Sequence, residues 1–339
     1  MTCKAMIVGC TGHVLTQAEQ ALFKAEKPWG FILFRRNVDT PDQVRRLVDS
    51  FRDCVERADA PVLIDQEGGR VQRLGPPHWP KYPPGRAYGA LQRNDPLLRR
   101  EITRLGARLI AHDLHALGIT VDCVPVLDVP VPGAHDVIGD RAYAVDPQTI
   151  AVLGRAASEG LIAGGVLPVI KHIPGHGRAG TDSHLALPVV DADRATLSAT
   201  DFVPFRHLAD MPLAMTAHVV YTAIDARRPA TTSRKVIREV IRGEIGFDGL
   251  IMSDDLSMKA LAGDFKSRTR AALRAGCDVV LHCNGDMAEM QPIFAATPEL
   301  KGRARQRAEA ALKRIAHAPE PFDPVEGRAR LEAALAMAA

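Results

Sequence analysis

The chain has 339 residues, of which 46% are hydrophobic and 24% charged, so it has the composition of a globular protein with enough apolar surface for a core. This composition excludes a disordered, collagenous or coiled-coil protein. Its 43 basic and 40 acidic residues give a net charge of +3, which argues against nucleic acid or an anionic membrane as a partner but leaves room for a local anion site.

Short apolar runs alternate along the chain with longer stretches of helical period. The eight runs cover residues 5–9, 30–34, 61–64, 119–126, 166–170, 212–217, 250–252 and 278–282. Apolar residues recur at three- and four-residue spacing in stretches such as 97–117, 150–163 and 233–245. The alternation predicts an α/β protein with a closed (β/α)8 TIM barrel. A doubly wound open sheet is disfavoured, because no Gly-x-Gly-x-x-Gly sequence follows the first run.

The length alone leaves the number of domains open, since the usual domain size predicts roughly two domains and a barrel with insertions needs roughly 250 residues or more. No linker-like segment divides the chain. We therefore predict a single barrel domain over residues 1–318 and a helical tail over 319–339, either packed on the barrel or frayed from it.

The cysteines and the lengths of the apolar segments indicate the cellular compartment of the protein. Six cysteines are scattered along the chain, several of them inside apolar runs, and no Cys-x-x-Cys motif occurs. They are typical of buried thiols in a reducing compartment. Because no segment approaches the roughly 20 apolar residues of a membrane span, we predict a cytoplasmic protein without a membrane partner.

Polar residues follow the apolar runs at the points where barrel strands should end. They include Asp65-Gln66-Glu67-Gly68-Gly69-Arg70, Asp128, Lys171-His172, His218, Ser253-Asp254-Asp255 and Asn284. The carboxyl ends of barrel strands are where such folds place catalytic groups. Ionisable groups in this position favour an enzyme over a structural protein.

The segment from Lys171 to His184 is the richest in functional groups. Its glycines and proline predict a loop, and it contains three histidines, a lysine and an aspartate. Asp182 and His184 are spaced to point to one side of an extended segment, where the carboxylate would orient the imidazole. For His172 and His176, hydrogen bonding to loop carbonyls is the competing interpretation.

A metal site is the main alternative for this segment. Imidazole and carboxylate ligands for zinc would come from His172, His176, Asp182, His184 and His218. Against it, Lys171 would repel a divalent cation, and the first strand lacks a His-x-His pair. We therefore predict neither a metal nor another cofactor.

Six motifs in chain order identify a known family. They are Asp65-Gln66-Glu67-Gly68-Gly69-Arg70-Val71-Gln72-Arg73, Pro125-Val126-Leu127-Asp128-Val129, Ile138-Gly139-Asp140-Arg141-Ala142-Tyr143, Lys171-His172-Ile173-Pro174-Gly175-His176-Gly177, Asp182-Ser183-His184 and Ser253-Asp254-Asp255-Leu256-Ser257-Met258. Together they resemble glycoside hydrolase family 3, and more narrowly its bacterial β-N-acetylhexosaminidase branch. The resemblance runs from about Met6 to Asn284.

The resemblance implies a role for each matched residue. Asp254 would be the nucleophile, His184 the general acid and base, and Asp182 the group that orients His184. The sugar would be bound by Asp65, Arg73, Arg141, Lys171 and His172. Supporting positions around these groups are assigned to Arg70, Asp128, His176 and His218.

The implied activity is that of a retaining exo-β-N-acetylglucosaminidase. Its substrates would be terminal β-linked N-acetylglucosamine residues of the GlcNAc-1,6-anhydro-muramoyl peptides released in peptidoglycan recycling, and a monomer is expected. Two alternatives stay open: a phosphorylase, in which inorganic phosphate attacks the glycosyl-enzyme, and a sugar-binding barrel without turnover. Ile173, where the family commonly has phenylalanine, and Ala142-Tyr143, where Ser-Phe is common, are apolar departures that bear on substrate fit more than on mechanism.

Overall fold

The protein is described here by a computed structural model that covers residues 2–91, 95–183 and 185–337. Eight parallel strands close into a barrel. They are β1 (Lys4–Val8), β2 (Pro28–Leu33), β3 (Val62–Ile64), β4 (Val121–Asp122), β5 (Leu167–Ile173), β6 (Leu213–Thr216), β7 (Leu250–Asp255) and β8 (Val279–His282). Each pairs with its sequence neighbours, and the barrel closes where Met6 of β1 lies opposite Val280 of β8. The predicted barrel, with all eight of its strands, is confirmed.

The ends of several strands differ from the prediction. The apolar run 119–126 forms only a two-residue strand, because Pro125 has no N–H to donate and the ladder breaks before it. In contrast, β5 and β7 continue beyond their apolar runs through Lys171-His172 and through Asp254. The polar residues predicted to follow these two strands are therefore their last residues.

Helices surround the barrel. They are α1 (Gln17–Glu26), α2 (Pro41–Val55), α3 (Gly85–Ala90), α4 (Pro96–His115), α5 (Pro147–Ala163), α6 (Arg194–Ala199), α7 (Val203–His207), α8 (Phe265–Ala275), α9 (Met287–Ala296), α10 (Gly302–Lys313) and α11 (Pro324–Ala336), with a π-helical segment at Val236–Glu244. Many of these helices are capped at their N-termini by side chains. Thr16 and Glu19 form a capping box at α1, and Asp146 and Asp264 accept hydrogen bonds from backbone N–H groups at the starts of α5 and α8. Among the described residues, no helix is both long and apolar enough to cross a membrane.

Alternate residues of a strand face two different apolar layers. On β1, Ile7 packs into the barrel interior with Leu63 and Leu213, whereas Met6 and Val8 face the helices. This is the two-residue period of a strand buried on both faces. Since both layers are closely packed, the strand ends hold their polar side chains on a rigid frame.

The C-terminal helix α11 lies against α4. Its Arg328 donates to Asp113 at 2.7 Å, and Leu331 is buried in the outer apolar layer. Arg330 also forms an ion pair with Glu101 near the start of α4. The last described turns of the chain thus pack on the barrel's helical shell.

Candidate active site

The carboxyl ends of the strands surround a cavity of about 160 Å3. Its polar lining consists of Asp65, Glu67, Arg73, Arg141, Lys171, His172, His176, Ser183, Asp254 and Asp255. Apolar contact surface comes from Phe34, Ile138, Met215 and Met258 among others. Such a mixture of convergent polar groups and apolar walls is typical of a small-molecule site.

Five charged side chains form a continuous ion-pair chain along one wall. Lys171 Nζ lies 2.9 Å from Asp65 Oδ1 and 2.6 Å from Glu67 Oε1. Arg73 contacts the second oxygen of Asp65 at 3.0 Å, and Arg141 binds both oxygens of Glu67 at 2.8 Å. Three cations and two carboxylates leave one net positive charge on this wall.

Burial makes these contacts strong. The side chains of Lys171 and Glu67 are only 2% and 5% exposed. Burial by itself would raise the pKa of Asp65, but Lys171 and Arg73 outweigh it and hold the pKa well below its usual range. Burial opposes ionisation of Glu67 as well, yet Arg141 and Lys171 lower its pKa to about 2. Both carboxylates are therefore ionised at neutral pH and can accept hydrogen bonds from hydroxyl groups.

A short hairpin positions Asp65, Glu67 and Arg73. Gln66–Gly68 pairs with Val71–Gln72, and the buried Gln66 side chain accepts the backbone N–H groups of Arg73 and Leu74 at 3.0 Å. Glu67 was not among the predicted site residues. Its distance from Asp65 in the sequence could have identified it. Glu67 follows Asp65 by two residues, and residues two apart in an extended segment face the same side.

His172 and His176 are held by one buried carboxylate. Asp128 Oδ2 lies 2.7 Å from His172 Nδ1, and its other oxygen accepts the backbone N–H of His176 at 2.6 Å. Burial tends to raise the pKa of Asp128, but His172 lowers it to about 2. Burial also lowers the pKa of His176 to about 4, so that this ring is neutral at pH 7. Asp128 thus lies behind the cavity and orients two histidines that line it.

The two neighbouring aspartates at the end of β7 differ in their bonding. Asp255 accepts Ser257 Oγ at 2.5 Å and the backbone N–H groups of Ser257 and Cys283 at 3.0 and 3.2 Å. Asp254 accepts the N–H of Asp255 at 2.8 Å and lines the cavity. Asp255 therefore braces the loop after β7. Asp254 lies four strands around the barrel from Asp65, on the opposite side of the cavity.

His218 is buried behind Asp254 and Asp255. Its Nε2 donates to the backbone oxygen of Asp255 at 3.0 Å, and its Nδ1 lies 2.7 Å from Thr231 Oγ1. Burial lowers its pKa. Both ring nitrogens have protein partners and His218 does not line the cavity, so its contacts fix the end of β7.

Arg70 lies on the surface. It contacts Asp136 and Asp140 at 3.4 and 3.3 Å and also donates to carbonyl groups of the same loop. That loop precedes Arg141. The contacts of Arg70 thus support the loop that carries Arg141 and do not reach the cavity.

The loop after β5 is anchored at its beginning. Tyr221 donates to the carbonyl of Gly175 at 2.6 Å, and Arg178 forms an ion pair with Asp201 at 2.7 Å. Further on, Ser183 lines the cavity and accepts the backbone N–H of Ala260 at 3.2 Å. Asp182 precedes it, whereas His184 lies outside the described residues.

The structure brings most of the predicted residues together. Asp65, Arg73, Arg141, Lys171, His172, His176 and Asp254 line one cavity, and Arg70, Asp128 and His218 lie around it. Within residues 2–91, 95–183 and 185–337, no three His, Cys, Asp or Glu side chains are arranged to hold a metal ion.

Comparison with known proteins adds a family and its relatives. The family described as Glycosyl hydrolase family 3 N terminal domain matches residues 8–318. A Beta-hexosaminidase of Alkalilimnicola ehrlichii is 41% identical over 283 residues, which are 82% of this chain and 80% of that protein. A Beta-hexosaminidase of Bordetella avium is 37% identical, covering 89% and 87% of the two chains. NagZ from Neisseria gonorrhoeae, solved with N-trifluoroacetyl-D-glucosamine, superimposes with a TM-score of 0.85 at 29% identity, covering 100% of this chain and 98% of NagZ.

Proposed function

This chain belongs to glycoside hydrolase family 3 as a β-N-acetylhexosaminidase, and from that premise we propose that it is a retaining exo-enzyme that releases terminal β-linked N-acetylglucosamine. The observation that carries the proposal is the placement of Asp254 across the cavity from the ion-paired wall of Asp65, Lys171 and Glu67. One side of the cavity can hold sugar hydroxyls while the other presents a carboxylate to the anomeric carbon.

The ion-paired wall suits a neutral sugar. Asp65 and Glu67 are fixed acceptors for hydroxyl hydrogens, and Lys171, Arg73 and Arg141 are fixed donors. Because the wall is already assembled by its own ion pairs, little side-chain freedom is lost when sugar binds. His172, oriented by Asp128, supplies a further polar contact.

Asp254 acts as the nucleophile in the proposed double displacement. Its carboxylate attacks the anomeric carbon, and the bond to the aglycone oxygen breaks, giving a covalent glycosyl-enzyme. Water then attacks the same carbon, the bond to Asp254 breaks, and the sugar leaves with its β configuration retained. The net positive charge on the facing wall favours the ionised form of the nucleophile.

His184 moves the protons in both steps, with Asp182 orienting it. In the first step the imidazolium gives its proton to the leaving aglycone oxygen, and in the second the imidazole takes a proton from the attacking water. A histidine titrates near neutrality and an adjacent carboxylate stabilises its charged form, so it can serve as acid and then base at cellular pH.

The natural substrates in this proposal are the GlcNAc-1,6-anhydro-muramoyl peptides of peptidoglycan recycling, cleaved in the cytoplasm by a monomeric enzyme without a cofactor. Support comes from the six motifs shared with the bacterial branch of the family and from the small size of the cavity, which suits one terminal sugar.

A hydrolysis assay tests the proposal. Aryl β-glycosides of N-acetylglucosamine, N-acetylgalactosamine and glucose are compared, and the anomer of the first product is recorded by NMR. We expect the N-acetylglucosaminide to be the best substrate and the β-anomer to appear first. An α-anomer would contradict retention, a sugar 1-phosphate as main product in phosphate buffer would show a phosphorylase, and binding without turnover would show a non-catalytic barrel.

A further inference from the structure

A second and larger cavity, of about 700 Å3, lies beside the active site. It is bounded by the loop after β6, the loop after β7 and helix α8. Six arginines line it: Arg227, Arg228, Arg234, Arg268, Arg270 and Arg274. We call it the arginine cavity. Nothing in the proposed reaction uses it.

Two elements bring these arginines to the cavity from different sides. Arg270 and Arg274 are four residues apart on α8 and so lie on one face of that helix. Arg227, Arg228 and Arg234 flank the short 3-10 turn Ala230–Thr232, which packs against α8. The convergence therefore depends on the tertiary fold and not on one basic stretch of sequence.

Only one of the six arginines is fully engaged by the protein. Arg268 donates to the carbonyls of Leu256, Met258 and Gly263 at 2.7, 3.3 and 3.0 Å. The other five are exposed, and none forms an ion pair with a carboxylate of the described residues.

Two carboxylates near the cavity, Asp225 and Asp264, attract Arg228 and Arg270 electrostatically, but neither forms a close ion pair with these arginines. Asp225 accepts Ser233 Oγ at 2.6 Å, and Asp264 accepts the backbone N–H of Ser267 at 2.8 Å to cap α8. Elsewhere on the surface, exposed arginines such as Arg100 and Arg305 have acidic partners at 2.8 and 2.7 Å. The arginine cavity is thus a local excess of positive charge in a chain whose net charge is only +3.

We propose that the arginine cavity binds a compact anion carrying two or more phosphate or carboxylate groups. Guanidinium groups bind both kinds of group through paired N–H donors, and converging guanidiniums suit a ligand with several such groups. A concave site of this volume fits a small polyanion, whereas duplex DNA would need an extended face.

The arginine cavity shares a wall with the active site. Leu187, three residues beyond His184 in sequence, lines it. Ala260, which also lines it, donates its backbone N–H to Ser183, and Ser183 lines the catalytic cavity. A bound anion would touch the loop after β5 from the side away from the sugar. Binding itself does not rest on the proposed function.

Calorimetric titration of the whole chain tests the proposal. Tripolyphosphate and citrate are titrated separately at constant ionic strength, so that phosphate and carboxylate ligands are distinguished. We expect saturable binding of at least one, at one anion per chain. The double variant Arg270→Gln/Arg274→Gln should weaken it about tenfold or more, as expected from the loss of charge-assisted hydrogen bonds.

A matched variant controls for general loss of charge. Arg46 and Arg303 are exposed arginines on other helices, and Arg46→Gln/Arg303→Gln removes the same charge. It should bind the anion as the unchanged protein does, and circular dichroism checks that both variants fold. The proposal is overturned if neither anion binds saturably, or if the two double variants lose affinity equally.

Discussion

The catalytic cavity and the arginine cavity both gather cations, but the cations are used differently. In the catalytic cavity Lys171, Arg73 and Arg141 are largely buried, and each is bound to Asp65 or Glu67. In the arginine cavity five arginines are exposed, and none of them forms a close ion pair with a carboxylate of the described residues. Buried charges need partners within the protein, whereas exposed ones are stabilised by water. The first arrangement offers a rigid surface to a neutral sugar, and the second leaves positive charge for an incoming anion.

The largest expected effect is the loss of activity when the proposed nucleophile of the catalytic cavity is replaced. Asp254→Ala should lower kcat on an aryl N-acetyl-β-glucosaminide on the order of 10^4-fold, because the covalent step loses its nucleophile, while binding of the sugar survives. Steady-state kinetics and sugar titration measure the two properties. Near-normal turnover would show that the nucleophile is another residue, and Arg46→Gln serves as the unaffected control.

The difference between buried and exposed cations predicts that removing one cation from each cavity changes the free energy of unfolding by different amounts. Lys171→Met leaves two buried carboxylates without their shared partner and should lower the free energy of unfolding by about 3–5 kcal/mol. Arg270→Gln should change it by no more than about 0.5 kcal/mol. Urea unfolding at pH 7 gives both values. Adding Asp65→Asn to Lys171→Met should restore part of the lost stability. Equal losses of stability in Lys171→Met and Arg270→Gln would contradict the proposed difference between the two cavities.

Replacing Asp182 should weaken the proposed acid and base without removing it. Asp182→Asn should lower kcat/KM about 10- to 100-fold, with a smaller loss for substrates that have good leaving groups. Because a carboxylate stabilises imidazolium, its loss should also move the basic limb of the pH profile to lower pH. An unchanged profile would mean that Asp182 does not act through His184.

A buried carboxyl beneath the ion-paired wall gives a smaller effect that depends on pH. Burial raises the pKa of Asp122 to about 8, and its Oδ1 accepts the backbone N–H of Gln66. The unfolded chain loses this proton near pH 4, so wild-type stability falls as the pH rises from there to 8. Asp122→Asn keeps the acceptor and does not titrate.

The stability of Asp122→Asn relative to wild type should therefore increase with pH, by up to about 1.4 kcal/mol per pH unit between pH 4 and 8. Urea unfolding at pH 5 and pH 7 measures the trend. A difference that stays constant or shrinks as the pH rises would show that Asp122 is ionised in the folded protein.

The smallest expected effect is that of a chelator. EDTA should leave kcat unchanged, because the proposed steps need only protein side chains and Lys171 would repel a divalent cation from this wall. Loss of activity on dialysis against EDTA, with recovery on adding zinc, would revive the metal alternative for the histidines.

Much of the fold follows from sequence patterns, and less of the site does. The eight apolar runs predict the eight strands because strands buried on both faces must be apolar. The extension of β5 and β7 into polar residues escapes this signal, since their last side chains face the cavity. Glu67 was missed because its role depends on Arg141, which is distant in sequence. The arginine cavity is likewise formed by separate segments.

Trapping of the covalent intermediate tests the proposed mechanism most directly. The enzyme is incubated with a 5-fluoro-β-N-acetylglucosaminyl fluoride, which slows the second step, and the labelled peptide is identified by mass spectrometry. The sugar should be attached to Asp254, and Asp254→Ala should not be labelled. A label on Asp65 or Asp255, or continued turnover without any covalent species, would contradict the proposed mechanism.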